Sequence, residues 1–388
     1  MVRRNARYLL IAACAVTFVF LRLLGGGGTQ MPGFQSLNRF THFEKGEDTL
    51  FPPDTPNPVD AERLRTASPD NVILRPDADP EIAHPPPELQ TQHGPIEPEK
   101  PPVYTNKSIA ITTTVLHPDP TLPIWLDYHL RRADVILIFM DDPGERPIFE
   151  RLIQGRTVVL FDGSDEAHHM TPESGIIYRQ DANNARAIEF ARSHNITWLM
   201  HIDPDELFYE EGDQSWETDS NLGHIRFTNH EAIFLPYEAV NFFTNCSVFR
   251  SDNQSETMLA YYFGKSAVRI AGDVASCGPH MFKGFEGEDR YVRRPMILHY
   301  PTPTFDRWVA KYTHYGNFSG NWYDDPNSPL GFPFMLGSRN HILAALASGN
   351  WDAARAYFNS HIPDPSTVER RVQTGDLLRI CPFPDTDS

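Results

Sequence analysis

The chain has 388 residues and a formal net charge of -17, with 51 acidic against 34 basic side chains. An acidic balance argues against nucleic acid as a partner, since phosphate binding needs a positive surface. A hydrophobic fraction of 40% and an aromatic fraction of 12% are enough for a real core in one large domain or two small ones.

Residues 1–7 carry Arg3, Arg4 and Arg7, and an apolar run follows from Tyr8 to Leu21, closed by Arg22 and four glycines, Gly25 to Gly28. The run is about 14 to 17 residues long, short for a bilayer but tolerable in a thin membrane. Basic residues on its N-terminal side alone place that end in the cytoplasm. Residues 1–24 therefore read as a cytosolic tail and signal anchor, with a cleaved signal peptide as the alternative. On either reading the main domain enters the secretory pathway. Residues 25–104 hold 15 of the 34 prolines and no apolar periodicity, so they read as an extended stem. Residues 105–388 read as the folded, lumenal domain.

That domain opens with a β-branched strand, Ser108 to Val115, and helical spacing over Leu122 to Leu130. Asp134 to Met140 is an apolar strand running into Asp141, Asp142, Pro143 and Gly144. Pro147 to Ile153 reads as a helix, Arg156 to Phe161 as a strand, Asp181 to His194 as a helix with an aspartate N-cap, and Trp198 to Ile202 as a strand. Strand and helix in alternation predict an α/β fold, a mostly parallel sheet flanked by helices. Ligands bind such sheets at the carboxyl ends of the strands, where Asp141, Asp142, Asp162 and the Asp203 cluster all fall. The second half is more irregular, with short strand-like segments at His224–Phe227, Ala232–Phe234, Ala239–Phe243, Tyr261–Arg269 and Met296–Tyr300. Thr304–Tyr315, Arg339–Ala347 and Trp351–Phe358 read as helices, the last two forming a C-terminal cap.

Trp198 to Glu206 reads W-L-M-H-I-D-P-D-E. Clustered carboxylates at the end of a buried strand repel one another and are costly to desolvate. Asp203 and Asp205, two apart around Pro204, have the chemistry to share one hard divalent ion, Mn²⁺ or Mg²⁺, that keeps positions open for substrate phosphates. A solvated acidic loop is the plain alternative. Cys14 lies in the N-terminal run, and no C-x-x-C spacing relates Cys246, Cys277 and Cys381, so zinc and dithiol redox motifs are not indicated. One disulfide and one spare thiol are compatible with that count. N-x-[ST] sequons stand at Asn106, Asn195, Asn245, Asn253 and Asn317, with Asn253 the best acceptor and Asn195 the worst.

These blocks carry a resemblance. Leu122–His129 followed by the strand into Asp141 and Asp142 resembles the opening of family-2-like glycosyltransferases. Gln180, Asn184 and the Trp198–Glu206 block resemble glycosyltransferase family 92, and Gly264–Arg269, Pro279–His280 and Leu298–Tyr300 continue the likeness in order. Leu116–Asp119 departs from the usual Arg-Asn-Glu-like run. The resemblance implies a GT-A fold, a nucleotide-sugar donor, a Mn²⁺-type cofactor and, with the anchor, a type II Golgi membrane hexosyltransferase acting on a glycan or glycoprotein. Asp203 and Asp205 are then metal ligands, with His299 as the third and His280 as the second choice. Asp141 and Asp142 are placed to meet uracil or ribose. Arg179, Asn184, Lys265 and Arg269 are placed near donor phosphate or sugar. An inverting reaction needs a carboxylate base, for which Glu206, Asp273, Glu231 and Glu286 are candidates. Trp322, Tyr323, Phe332 and Phe334 are aromatics with faces for sugar stacking, although core packing is the expected use of most of them. Two other readings remain at this point, a metal-dependent phosphohydrolase and a non-catalytic lumenal carbohydrate-binding protein. The hydrolase is disfavoured because the first strand ends in Val115–Leu116–His117 rather than in an aspartate.

Overall fold

The computed structural model describes residues 108–383 apart from 166–171, 212–215, 238, 240, 251–258, 262–263 and 322–329. The expected anchor and stem, the sequons at Asn106 and Asn253, and Trp322 and Tyr323 lie outside the described residues. No helix among the described residues is long and apolar enough to cross a membrane.

The first half is the alternating unit that the sequence implies: β1 (Ile109–Val115), α1 (Leu122–His129), β2 (Val135–Met140), α2 (Arg146–Leu152), β3 (Val158–Asp162), α3 (Pro172–Ser193) and β4 (Trp198–His201). The strands lie side by side in the order β3-β2-β1-β4, all parallel. Successive side chains point to opposite faces of a strand, and both faces here are apolar. Ile109, Ile111, Ile136 and Ile138 join Trp125 and Leu126 of α1 in one cluster. Ala110, Val135, Leu137 and Phe139 join Ala187, Ile188 and Ala191 of α3 in the other. This is why β2 reads as an unbroken apolar run, as strands buried on both sides do. α3 begins well before Asp181, the expected N-cap. Asp181 instead accepts a hydrogen bond from the Gly278 backbone N–H at 2.8 Å.

The second half widens this sheet to ten strands, and it does so largely with antiparallel neighbours. It comprises β5 (Glu206–Tyr209), β6 (Leu222–Ala232), β7 (Ser247–Arg250), β8 (Ser266–Arg269), the small ribbon β9 (Ala275–Ser276) and β10 (Phe282–Lys283), and β11 (Glu288–His299). After α4 (Phe305–Tyr315), α5 (Pro333–Ser348), α6 (Asp352–Ser360) and α7 (Pro365–Gln373), β12 (Leu377–Ile380) closes the far edge. β8 runs antiparallel to β4 and β6. The segments expected at His224–Phe227 and Ala232–Phe234 differ from what forms: β6 is continuous through Ala232, and Phe234 packs among the helices instead. Of the segment expected at Ala239–Phe243, the described residues 239 and 241–243 are not in a strand, and Phe242 and Phe243 pack Tyr300 from two sides. Phe305, Trp308 and Tyr312 of α4 bury against α5 and α6 in a separate aromatic cluster. Cys246 and Cys381 form a disulfide that staples β7 to β12, whose ends pair as Ser247 with Ile380. Cys277 is the remaining thiol among the described residues.

Two consequences position the site. β2 and β3 lie on one side of β1 and β4 on the other, so the chain reverses its strand order between β1 and β4, where open α/β sheets bind ligands. And α3 runs back against the strands, so its N-terminal half lies over their carboxyl ends. The buried face of α3 changes character accordingly, from Arg179, Gln180, Asn183 and Asn184 to Ala187, Ile188 and Ala191.

Candidate functional site

The carboxyl ends of β1, β2 and β4 meet a set of charged side chains that would be costly to bury alone. After β2, Asp141 receives two hydrogen bonds from Arg179, Nε at 2.7 Å and Nη2 at 2.9 Å. Beside it Asn183 donates to Thr114 Oγ1 at 3.0 Å and accepts from the Ser164 N–H at 2.9 Å. Asp142 does something different. Its carboxylate accepts from the Gly144 N–H at 2.8 Å and caps the turn at Pro143.

After β4 the acidic block is fully engaged. Asp203 Oδ2 lies 2.6 Å from Lys265 Nζ, and its Oδ1 accepts from Gln180 Nε2 at 2.8 Å. Burial alone would raise the Asp203 carboxyl, but the Lys265 charge, with His201, outweighs it and holds Asp203 below the usual carboxylate range. Lys265 is 1% exposed. Burial would lower its ammonium, yet Asp203 and Glu206 keep it raised. Gly264 lets the chain just before β8 pass close to β6, since a Cβ there would stand 1.8 Å from the Phe227 carbonyl oxygen. Asp205 Oδ2 lies 3.1 Å from Lys311 Nζ of α4 and 3.7 Å from His299 Nε2. Burial opposes ionisation of Asp205 too, and Lys311 and His299 more than offset it.

Glu206 points the other way. It is fully buried, its Oε2 accepts from the Asp203 N–H at 2.8 Å, and its Oε1 is hydrogen-bonded with the Tyr261 hydroxyl. Burial pushes its carboxyl well above the usual range, against the pull of Lys265. Tyr261 in turn stacks on His299 at 4.5 Å and meets the edge of His280 at 4.8 Å. His280 places Nδ1 on the Gly264 carbonyl at 3.0 Å, and His201 places Nδ1 on the Pro279 carbonyl at 2.8 Å. A carbonyl accepts only from a protonated nitrogen, so these partners select the Nδ1–H tautomer of both rings. Burial and then the Lys265 charge lower His201 to about 4 and His280 to about 3.

Asp141, Arg179, Asp203, Asp205, Lys265 and His299 are thus gathered at the expected end of the sheet, and Asn184 lies close by, donating to the Gly278 carbonyl at 3.4 Å. Other expectations do not survive the geometry. Arg269 faces Trp198 at the start of β4, because β8 runs antiparallel to it. Its guanidinium lies over the Trp198 ring at 4.7 Å and donates to the Leu222 and Asp219 carbonyls. Asp273 follows Arg269 to the same far end and is exposed there, beside the last turn of α3, where Arg192 donates to the Gly272 and Val274 carbonyls. Glu286, near Gly272 and Gly223, is at that end as well. Glu231 is fully buried and holds Arg250 and the Leu259 and Ala260 N–H groups. A general base must be ionised and within reach of its proton. Of the four carboxylates expected from the sequence, Glu206 and Glu231 are fully buried, and Asp273 and Glu286 stand at the opposite end of the sheet, so none is in reach of an acceptor hydroxyl where it stands. Phe332 and Phe334 are buried in the aromatic cluster region rather than presented to a ligand.

The expected grouping of Asp203, Asp205 and His299 around one Mn²⁺ or Mg²⁺ requires donors that converge on a point. Among the described residues no group of three or more His, Cys, Asp or Glu side chains does so. His201 stands 3.5 Å from Asp203, His299 stands 3.7 Å from Asp205, and each carboxylate carries a lysine ammonium. As placed, this donor set does not fit a resident divalent ion.

Sequence reasoning missed Lys311. The signal was there: Arg307, Lys311 and His314 recur at helical spacing along α4. Arg307 Nη2 lies 2.5 Å from Asp119 Oδ2 past the end of β1, and Lys311 reaches Asp205 past the end of β4. His314 lies edge-on to His117, ring centres 6.1 Å apart, in the field of Asp141 and Arg179. Between α4 and His117 lies an open groove of about 520 Å³, lined by Asp306, Val309, Ala310, Thr313 and His314. That volume is in the range of small-molecule sites.

No family model matches the chain. Two proteins of Arabidopsis thaliana are distantly similar. "Glycosyltransferase-like At2g41451" is 24% identical over 163 residues, covering 35% of this chain and 36% of the relative. "Glycosyltransferase-like At3g57200" is 23% identical over 163 residues, covering 35% and 32%. The distant likeness is to glycosyltransferases. It supports that broad class and does not single out family 92. The chain matches only about a third of the length of these relatives. Among solved structures, the bifunctional IspDF from Campylobacter jejuni shares 9% identity over 42% of this chain and 41% of its own, at a TM-score of 0.24, a likeness on which nothing is built.

Proposed function

We propose that the chain is a glycosyltransferase that moves a hexose from a nucleotide-sugar donor, UDP-linked if Asp141 and Asp142 meet uracil as the family resemblance implies, to a glycan or glycoprotein. The observation that carries this reading is the charged floor at the β1/β4 reversal, Asp141–Arg179 on one side and Asp203, Lys265, Asp205 and Lys311 on the other. It adjoins a groove of about 520 Å³. In this reading the nucleoside lies toward Asp141 and Asp142, and the diphosphate toward Asp205. A nucleoside diphosphate leaving group develops charge, so fixed dipoles and cations aimed at it lower the barrier. The names of the Arabidopsis relatives support the same class. Type II placement in the Golgi membrane belongs to this proposal too, and rests on Arg3, Arg4, Arg7 and the run from Tyr8 to Leu21. The disulfide between Cys246 and Cys381 is in keeping with a lumenal, oxidising compartment.

The test is a panel of nucleotide sugars offered to the detergent-solubilised full chain, with release of nucleoside diphosphate as the readout, in EDTA and in Mn²⁺. Turnover of one nucleotide class, abolished in Arg179→Met, supports the reading. No turnover and no nucleotide binding from a cooperatively folded sample would replace it with a carbohydrate-binding role.

A further inference from the structure

The arrangement of α4 carries more than a class of reaction. The helix presents three flanks. Phe305, Trp308 and Tyr312 face the aromatic core. Asp306, Val309, Ala310, Thr313 and His314 line the groove. Between these flanks, Arg307 and Lys311 reach the carboxylates beyond β1 and β4.

We propose that Lys311 supplies the counter-charge for the donor's diphosphate, in the position where a divalent ion was expected. This rests on the donor-site reading above and deepens it. Three observations point the same way. First, the two carboxylates that would hold an ion are each matched by one ammonium, Asp203 by Lys265 and Asp205 by Lys311. A divalent cation placed there would sit beside two fixed positive charges, and like charges at such range repel. Second, the two lysines are not equivalent. The Lys265 side chain is wholly buried between Asp203 and Glu206, the latter at 3.6 Å, so its charge is already shared. The Lys311 side chain is 26% exposed, and so is the Asp205 it touches, at 28%. Third, an ammonium has three donors. Lys311 points one at Asp205 and one at the Pro301 carbonyl at 3.0 Å, which fixes its position on the rim of the site without using its full capacity. Asp205 is then a positioning residue that holds Lys311, rather than a metal ligand.

The two accounts predict opposite results for one substitution. Titrate UDP, GDP, UMP and uridine into the full-length chain by calorimetry, in excess EDTA and again in Mn²⁺. If Lys311 is the counter-charge, a nucleoside diphosphate binds in EDTA. Lys311→Met then weakens it about tenfold or more, the loss of one charged hydrogen bond, and leaves the nucleoside alone unchanged. Lys311→Arg keeps most of the affinity. Asp205→Asn keeps diphosphate binding in EDTA, because the amide oxygen still accepts from the Lys311 ammonium and holds it in place, while the competing negative charge is gone. If instead binding requires Mn²⁺ and Asp205→Asn abolishes it, Asp205 holds an ion and the proposal is overturned while the donor site stands. If the folded wild-type chain binds no nucleotide in either condition, the donor-site reading fails and takes this inference with it. Thermal unfolding of each variant separates lost binding from lost fold, and Asp205→Asn still decides the matter if Lys311→Met does not fold.

Discussion

Lys265 and Arg269 stand four residues apart at the two ends of β8, and the ends are chemically opposite. At one end Lys265 is sealed among Asp203, Glu206 and Tyr261, with its charge felt by His280. At the other, Arg269 lies on the Trp198 ring and donates to the Leu222 and Asp219 backbone carbonyls. The lesson is about strand direction. β4 delivers its carboxylates at its C-terminal end, and an antiparallel neighbour can answer them only with residues at its own N-terminal end. Basic residues at both ends of one strand therefore divide into one that serves the site and one that serves the fold.

The largest way to break this contrast is to remove each cation in turn. Lys265→Met leaves Asp203 buried without its partner and should cost about 3–5 kcal/mol, or prevent cooperative folding, since an unpaired buried charge is heavily penalised. Urea denaturation reads it directly. Equal costs for Lys265→Met and Arg269→Met would erase the distinction.

Acid sharpens the same contrast. His201 and His280, both at the Lys265 end, are held neutral, at about 4 and about 3. A histidine whose folded value is depressed contributes stability above its ordinary value near 6.5, and that stability is lost as pH falls through the window down to the folded value. Each contributes a slope of about 1.4 kcal/mol per pH unit there. Asp203 and Asp205, also depressed, lose their contribution only below the ordinary carboxylate range. The urea midpoint should therefore begin to fall near pH 6.5, not near pH 4. His201→Gln should flatten part of that slope, and an unchanged midpoint from pH 6.5 to 4.5 would contradict the buried neutral rings.

Arg269→Met should be milder. It removes two hydrogen bonds to carbonyls and a cation–π contact, together about 1–2 kcal/mol, and should leave nucleotide affinity as it was. Any change in affinity would mean that the far end of β8 communicates with the site.

The contrast also shows what was legible beforehand. The parallel core was, because its strands are buried on both faces and announce themselves as apolar runs between helices. So was the end of the sheet where the candidate residues gather, since Asp141, Asp203 and Asp205 all follow strands. Arg179 and Lys265 fell into place with them. Strand polarity in the second half was not legible, and that one unknown misplaced Arg269 and Asp273 together. Nor was the partner of Asp205, because Lys311 lies 106 residues away on a helix whose aromatic face is its more obvious feature. The pairing of Cys246 with Cys381 rather than Cys277 likewise depended on β7 meeting β12.

The smallest effect tests the least intuitive member of the cluster. Glu206 adjoins two ionised aspartates in a fully buried position, and burial pushes its carboxyl well above the ordinary range. A group raised in this way contributes stability at low pH and loses it as pH rises through the folded value, the reverse of Asp203. Glu206 accepts from the Asp203 N–H through one oxygen and from the Tyr261 hydroxyl through the other; a proton held on the second oxygen at pH 7 would reverse that bond and make Glu206 the donor. A glutamine amide offers the same donor and acceptor in the same shape. If Glu206 holds that proton, Glu206→Gln changes stability by less than about 1 kcal/mol at pH 7. An ionised Glu206 would behave otherwise, since losing it would leave Lys265 with one counter-charge in place of two, at a cost nearer that of breaking a buried pair. Urea denaturation of Glu206→Gln from pH 6 to 8 separates the cases. A near-neutral substitution would also count against Glu206 as a base, since a base must be ionised.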